Sequence, residues 1–253
     1  MKIAAIILNR NLPNVTDALY KKLKDNNDVD IFVVEAGSEK NNLSQHCTWH
    51  ADWDDAKKHG LRFSRGMNFG LSMLWKEDKF KHYDAFFLMT NDLIIPKESF
   101  INKLTTIMTN HKRLGILSAC GSKWGERYLL DKEKTKYFSF IHNNAFMLRR
   151  EFIECIINYE EIDYMNFLFD GSNFRGYGTE SELIAKGYNN DWAAAITTEC
   201  FVDKDSSYLL DKVDIIKTES YNDHLKLYVD EGRIWMRKKY GFNSHWSMQQ
   251  YTK

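Results

Sequence analysis

The feature that most constrains this chain is an apolar run, Ala85 to Met89, that stops abruptly at Asn91 and Asp92. A continuous apolar run of this length is typical of a strand that is buried on both faces, in the middle of a parallel sheet. Ligands of open α/β sheets bind beyond the carboxyl ends of such strands, where Asp92 lies. An ordinary Asn-Asp turn would also follow a strand in this way. The run therefore predicts a buried strand that ends in a ligand site or in a simple turn.

The first third of the chain predicts a parallel pair of strands. Residues 2–8 and 29–34 have the composition of buried strands, and residues 15–23 carry apolar side chains at helical spacing. Strand, helix and strand within about thirty residues form a right-handed βαβ unit. Later segments predict helices at 71–75, 97–109, 151–157 and 179–185, and strands at 114–119, 136–141, 145–148 and 192–197. Residues 41–60 are polar and predict an irregular segment, residues 142–144 predict a break between two strands, and Gly187 predicts the end of the helix at 179–185. The fold class is therefore α/β, with a mostly parallel central sheet flanked by helices.

Composition excludes several classes of protein. Lys plus Arg and Asp plus Glu number 35 each, so no net positive charge attracts nucleic acid. No apolar run approaches the roughly 20 residues of a transmembrane helix. A peripheral contact with a membrane is compatible with this composition. The apolar start of the chain is too short for a signal peptide. The four cysteines are widely separated, which favours a reduced, cytoplasmic setting, including the inner face of a membrane.

The chain contains no segment with the composition of a linker. We therefore expect one domain over residues 1–215, with a nucleotide-binding half over about 1–120 and an acceptor half over about 121–215. Residues 216–253 are mixed in pattern and are expected to form a C-terminal helical appendage that packs on the same domain.

Five segments, in this order, carry a resemblance to a known family. They are Ile3 to Asn11, Val33 to Ser38 (V-V-E-A-G-S), Arg65 to Gly70 (R-G-M-N-F-G), Leu88 to Pro96 (L-M-T-N-D-L-I-I-P) and Ala145 to Glu151 (A-F-M-L-R-R-E). Together they resemble the family 2 glycosyltransferases of the GT-A fold, the inverting group that includes bacterial rhamnosyltransferase-like enzymes. The resemblance covers roughly residues 2–200. It implies a GT-A (Rossmann-like) fold.

The resemblance implies a donor site at the ends of the first strands. The residues expected to hold the base, the ribose or the rest of the nucleotide are Asn9, Arg10, Glu35, Arg65, Asn68, Asn91 and Asp92. A carboxylate such as Glu35 can accept hydrogen bonds from ring N–H groups and ribose hydroxyls. Gly66 and Gly70 would allow close approach of the backbone. An ordinary turn at the end of a strand is the alternative interpretation of the Glu35 segment.

The resemblance also implies a divalent metal. Asp92 matches the last, metal-binding Asp of the D-x-D motif, whereas Thr90 stands where the first Asp is usual. With one carboxylate, Mn²⁺ or Mg²⁺ would need the diphosphate of the donor to complete its shell. A literal D-x-D at Asp52 to Asp54 follows a polar loop rather than an apolar strand. We interpret it as a solvated acidic loop.

An inverting transfer needs one general base to deprotonate the acceptor hydroxyl. The family carries this base on an acidic pair at the start of a helix, after a Gly- and aromatic-rich loop. Glu180 is the first choice here, Glu182 the second and Asp170 the next residue to test. Each acid at the start of the helix could instead serve the helix dipole alone.

The expected function is therefore inverting transfer of a hexosyl or deoxyhexosyl group from a nucleoside diphosphate sugar to a glycan or lipid-linked acceptor, assisted by a divalent metal. A non-catalytic relative that binds nucleotide sugars or glycans is one alternative, because Thr90 replaces the first Asp. A nucleotidyltransferase on a similar sheet is another. That class usually carries a Gly-rich basic loop near its first strand, which we do not find.

Overall fold

The computed structural model describes residues 1–123, 134–138, 140–141, 145–205, 207 and 212–250. The strands of these residues are β1 (Ile3–Asn9), β2 (Asp30–Glu35), β3 (Cys47–His50), β4 (Ala85–Thr90), β5 (Leu93–Ile94), β6 (Leu114–Cys120), β7 (Thr135–Tyr137), β8 (Ala145–Arg149), β9 (Ala193–Phe201) and β10 (Asp203–Lys204). Eight of them form one sheet in the order β3-β2-β1-β4-β8-β6-β9-β7, and β10 pairs with β5 in a separate ribbon.

The sheet is parallel in the part that contains β1, β2, β3 and β4. Strand β1 pairs in parallel with β2 on one side and with β4 on the other. Strand β8 is antiparallel to both of its neighbours, β4 and β6, and β7 is antiparallel to β9. The parallel pairing brings the carboxyl ends of β1, β2 and β4 to the same edge of the sheet, as the sequence predicts.

Helices cover both faces of the sheet. They are α1 (Pro13–Asn26), α2 (Asp54–His59), α3 (Arg62–Lys76), α4 (Phe100–Asn110), α5 (Arg150–Ile156), α6 (Thr179–Asn189), α7 (Val213–Ile216), α8 (Tyr221–Tyr240) and α9 (His245–Gln249). Pro13 suits the start of α1, because its missing N–H has no partner there in any helix. Among the residues described above, no helix is long and apolar enough to cross a membrane.

The central strands separate two apolar layers. Along β1, Ala5 and Ile7 pack with α1 and α4, whereas Ala4 and Ile6 pack with α3, α5 and α6. Side chains alternate between the faces of a strand, so a strand that is buried on both faces must be apolar at every position. This is why β1 and β4 are continuous apolar runs, and it confirms the predicted three-layer α/β fold.

Two predicted features of the chain differ in the structure. Residues 41–60, predicted to be irregular, contain β3 and α2; β3 lies at the edge of the sheet, where polar residues are tolerated. Gly187, predicted to end α6, lies inside it. A Cβ at this position would lie only 3.3 Å from Phe152 of α5, so the glycine lets the two helices approach closely. The predicted break in the second half of the chain, at 142–144, lies outside the described residues.

The C-terminal residues form helices that contact the loop before α6. Ser220 caps α8 by accepting a hydrogen bond from the backbone N–H of Asp223, and Gly241 ends the helix in the left-handed conformation. Gly232 of α8 faces Tyr177 so closely that a Cβ on Gly232 would lie 2.1 Å from the Cβ of Tyr177. Helix α8 is a single helix of 20 residues, where the sequence predicted a mixed and only partly helical segment.

We predict that Gly232→Ala destabilises the protein, although the same change in an open helix stabilises it by about 0.5–1 kcal/mol. The added methyl group has no room beside Tyr177, and overpacking of this kind costs about 1–3 kcal/mol. Urea unfolding of Gly232→Ala beside Asp230→Ala, an exposed position of the same helix, measures the difference. A gain in stability for Gly232→Ala would show that α8 does not pack against Tyr177.

Candidate functional site

A chain of buried hydrogen bonds joins the carboxyl ends of the three parallel strands. The side-chain N–H₂ of Asn9, at the end of β1, donates to both carboxylate oxygens of Glu35, at 3.1 and 2.9 Å. The Asn9 oxygen accepts from the side chain of Asn91 at 2.8 Å, and Asn91 also donates to Thr16 of α1. The ends of β2, β1 and β4 are therefore held in one fixed arrangement.

Glu35 lies inside this chain of hydrogen bonds and not at a surface. Besides the two bonds from Asn9, its oxygens accept from the Ser38 hydroxyl at 2.6 Å and from the Ser44 backbone N–H at 2.8 Å. The residue has no solvent exposure. Four protein donors occupy the two oxygens, which matches the roughly four lone pairs of a carboxylate. The structure thus does not place Glu35 against a nucleoside, as the sequence predicted, because its acceptors are already occupied.

A cavity of about 180 Å³ opens beside this network. The described residues that line it come from separate parts of the chain: Leu8, Asn9, Arg10, Leu12, Ala36, Arg62, Thr90, Asn91, Asp92, Lys204, Ile216 and Thr218. Asn9, Arg10, Asn91 and Asp92 are therefore brought together, as the sequence predicts. The C-terminal residues Ile216 and Thr218 form part of the same wall.

Asp92 is nearly buried at the carboxyl end of β4. One of its carboxylate oxygens accepts a hydrogen bond from the Thr90 hydroxyl at 2.6 Å, and the other lies 3.4 Å from the Lys204 ammonium. Within the described ranges, no group of three or more His, Cys, Asp or Glu residues could hold a metal ion. This carboxylate is therefore a single protein ligand and would need oxygens from a bound molecule to complete a metal shell.

Two arginines bring positive charge to the cavity. Arg10 donates to the backbone oxygen of Lys57, and its guanidinium packs against Gly60 so closely that a Cβ there would meet it at 1.7 Å. Burial and the neighbouring Arg62 lower the pKa of Arg10 to about 10. Arg62 is paired with Glu219 at 2.6 Å and has a positive φ of 55°, an uncommon conformation for a long side chain. Such strain is characteristic of functional sites.

Arg65 and Asn68 do not line this cavity, although the sequence placed them beside the nucleotide. Asn68 is fully buried; it donates to the backbone oxygens of Tyr164 and Phe169 and accepts from the N–H groups of Leu168 and Phe169. Arg65 donates to the backbone oxygen of Gly171 at 2.7 Å. Both side chains hold the loop that precedes α6, and four buried hydrogen bonds leave Asn68 no capacity for a ligand.

The glycines of the same segment serve packing rather than nucleotide binding. A Cβ on Gly66 would lie 2.3 Å from Leu8 of β1, and one on Gly70 would lie 3.0 Å from Ile6 and Val34. The absence of these side chains lets α3 lie directly on β1 and β2. The close approach predicted from the sequence is therefore between a helix and the sheet.

Glu180 is a buried acid at the start of α6. It is 5% exposed, and none of the described residues donates a hydrogen bond to its Oε2 atom. Burial raises the pKa of this carboxyl to about 7. The hydroxyl of Thr179, the residue before Glu180, lies 3.3 Å from the hydroxyl of Ser64. Ser64 is in α3, two residues after Arg62. A carboxyl with this pKa is half ionised near neutral pH, which is the state that a general base requires.

The other two acids near α6 are held by the C-terminal helix. Glu182 accepts from the Tyr240 hydroxyl and from Lys239 at 3.0 Å, and it pairs with Lys186 of its own helix. Burial acts to raise the pKa of Asp170, but hydrogen bonds from Lys239, Ser172 and Trp235 outweigh it and lower that pKa to about 2. Through these contacts Glu182 and Asp170 hold α8 against the start of α6. Among the described residues, no side chain of α8 donates a hydrogen bond to Glu180 in this way.

Two charged residues of the cavity, Arg62 and Lys204, were not identified from the sequence. Arg62 lies three residues before the glycine-bearing segment Arg65 to Gly70 and belongs to none of the motifs found in the sequence. Lys204 reaches Asp92 because β10 pairs with β5, where Lys204 lies opposite Leu93. A pairing of two residues leaves no periodicity in the sequence, so no pattern could have placed Lys204 here.

Comparison with known proteins identifies the fold. No family model matches the chain, and no curated protein matches it in sequence. The mannosyltransferase PcManGT from Pyrobaculum calidifontis, in complex with GDP-Man and Mn²⁺, is 12% identical with a TM-score of 0.53; the match covers 79% of this chain and 56% of that one. TarS 1-349 from S. aureus, in complex with UDP, is 11% identical with a TM-score of 0.54, over 96% of this chain and 72% of that one.

These relatives have the GT-A fold of glycosyltransferases, and this chain shares it. The fold predicted from the sequence is therefore confirmed. The chain spans only a little more than half the length of the mannosyltransferase.

The buried Glu180 predicts an unusual dependence of stability on pH. Its pKa is raised in the folded state from an ordinary 4.5 to about 7, so the folded protein binds the proton more tightly than the unfolded chain. Stability from this group is complete at low pH and is lost as the pH rises through 7. We predict that Glu180→Gln, which carries no charge, is more stable than the wild type by up to about 3 kcal/mol above pH 7.

Thermal unfolding across the pH range tests this expectation. The advantage of Glu180→Gln should vanish below about pH 4.5, where the wild-type carboxyl is also neutral. Glu182→Gln is the matched control, and it should lose stability because its pairs with Lys239 and Lys186 are broken. An equal effect of Glu180→Gln at all pH values would contradict the buried, titrating carboxyl.

Proposed function

We propose that the chain is a glycosyltransferase that transfers a sugar from a nucleoside diphosphate donor to a hydroxyl of its acceptor, with inversion. The observation that carries this proposal is the cavity at the ends of β1 and β4, where Asp92 lies among Arg10, Arg62 and Lys204. In an α/β sheet this edge binds the ligand, and a diphosphate needs positive charge around it. The shared fold with donor-bound relatives supports the same assignment.

The donor's nucleoside would lie near Asn9, Arg10 and Leu12, with its diphosphate toward Asp92. Glu35 acts through Asn9 in this arrangement: it fixes the amide, which in turn fixes Asn91 beside Asp92. Glu35 is thus proposed as a positioning residue. Arg65 and Asn68 are proposed to position the loop that leads to Glu180, because both hold its backbone.

The residues present fit a divalent metal that arrives together with the diphosphate. Asp92 is a single oxygen ligand on a rigid strand end, and Mg²⁺ is commonly bound by one or two carboxylates plus substrate phosphates. Bound there, Mn²⁺ or Mg²⁺ would neutralise charge on the leaving diphosphate. Thr90 holds the Asp92 carboxylate through its hydroxyl and does not replace the absent second carboxylate.

Glu180 is the proposed general base. Its carboxylate would take the proton from the acceptor hydroxyl as the hydroxyl oxygen attacks the anomeric carbon, and the bond from that carbon to the diphosphate oxygen breaks. One base and one displacement give inversion. Tyr228 of α8 lies near Glu180, and the Tyr177 and Tyr228 ring centroids are 5.1 Å apart. An acceptor would therefore approach this carboxylate beside Tyr228.

The finer identity of the reaction rests on the sequence resemblance alone. That resemblance points to a hexose or deoxyhexose, as in the rhamnosyltransferase-like members, and to a glycan or lipid-linked acceptor at a membrane face. A panel of nucleotide sugars, scored by release of the nucleoside diphosphate, tests the assignment. Binding of a donor without any turnover would favour the non-catalytic relative instead.

Asp92→Asn should abolish Mn²⁺- or Mg²⁺-dependent transfer and leave the fold intact. The amide keeps the hydrogen bond from Thr90 but lacks the charge that a metal requires. We expect a loss of about a hundredfold or more in turnover with the active donor. Asp205→Asn is the control, because the Asp205 carboxylate caps its own turn at Ser207. Full turnover by folded Asp92→Asn would remove Asp92 from the site.

Glu180→Gln should lower turnover by about a hundred- to ten-thousandfold while nucleoside diphosphate still binds, because only proton removal is lost. Wild-type turnover should rise with pH through about 7, as the carboxyl ionises. Residues 180 and 182 point about 200° apart on a helix, so Glu182→Gln should lose far less. A dead Glu182→Gln variant beside an active Glu180→Gln would reverse the assignment.

A further inference from the structure

The charges around the cavity are unbalanced. Its described lining carries three cationic side chains, Arg10, Arg62 and Lys204, and one acidic side chain, Asp92. Among the described residues, no group accepts a hydrogen bond from the buried Nε–H of Arg10 or of Arg62. Buried donors without acceptors destabilise the folded state, and like charges at one surface repel. An anion in the cavity would reduce the repulsion between the three cations.

Lys204 differs from the two arginines in how it is held. Arg10 is fixed by the Lys57 carbonyl and Arg62 by Glu219, whereas Lys204 extends from the β5–β10 ribbon to Asp92. The ribbon fixes its backbone, since the N–H of Asp205 also donates to the Asp92 carbonyl at 2.9 Å. Its ammonium therefore starts beside the one acid of the cavity, on a flexible four-carbon stem.

We propose that Lys204 is a diphosphate-binding residue that shares Asp92 with the divalent metal. Without metal, its ammonium both neutralises Asp92 and faces the donor phosphates. When a metal ion holds Asp92, repulsion between the two cations moves the ammonium onto the diphosphate. In either state the Lys204 ammonium would place one positive charge near the bond that breaks, where negative charge grows during transfer. The inference rests on the proposed donor site and goes beyond it, because it predicts donor binding without metal.

Calorimetry with UDP and with GDP, each in EDTA and in Mn²⁺, tests the inference. Wild type should bind one of them in EDTA. Lys204→Met should weaken that binding by tenfold or more, since a charge-assisted hydrogen bond is worth about 1.5–3 kcal/mol. The loss should be smaller in Mn²⁺, so the ratio of the two affinities rises in this variant. Lys204→Arg should keep binding in EDTA.

Controls separate this role from a structural one. Lys21→Met makes the same change on the exposed face of α1 and should leave both affinities unchanged. A purely structural role for Lys204 would weaken binding equally in EDTA and in Mn²⁺, and that result overturns the inference, as does wild-type affinity of Lys204→Met in EDTA. In both cases the proposed function survives. Failure of wild type to bind UDP, GDP or any other nucleoside diphosphate, in EDTA or in Mn²⁺, overturns the proposed function and the inference together.

Discussion

The site depends on the pairing of one amide with one carboxylate, Asn9 with Glu35. This pair joins β1 to β2, and the free oxygen of the same amide joins β1 to Asn91 after β4. The Asn9 amide donates to Glu35 and accepts hydrogen bonds from Asn91 and from the Leu12 backbone N–H, so the orientation of its oxygen and nitrogen is fixed. Removal of one member would leave buried partners unsatisfied, at about 1–3 kcal/mol each. The position of Asp92 follows from this network more than from its own contacts.

The charged groups fall into two environments with different tasks. Around Asp92, cations outnumber acids, and the surplus positive charge suits a diphosphate. At the start of α6, Glu180 is enclosed without a cation and its pKa is raised to about 7 by burial. A raised pKa suits the base that we propose, and positive charge suits the proposed leaving group. Asn68 and Arg65 tie the loop before Glu180 to α3.

Features set by local sequence patterns could be predicted from the sequence, whereas features set by contacts between distant parts of the chain could not. The end of β4, just before Asp92, was predictable because a strand that is buried on both faces is apolar along its length. The buried roles of Glu35 and Asn68 were not, since their partners lie in loops with no pattern of their own, such as residues 164–169 for Asn68. Glu180 was chosen as the base from the family resemblance, by its place after a Gly- and aromatic-rich loop, but its burial depends on tertiary packing and could not be predicted.

The C-terminal segment connects these two environments. Ile216 and Thr218 line the donor cavity, Glu219 pairs with both Arg62 and Arg175, and α8 begins two residues later. Arg175 belongs to the loop before Glu180, and Tyr228 of α8 lies near that acid. A phosphate that draws Arg62 away from Glu219 would therefore weaken one of the attachments that hold α8 over Glu180. In the proposed function, where the cavity binds the donor and Glu180 is the base, these contacts would couple donor binding to the packing of α8 at Glu180.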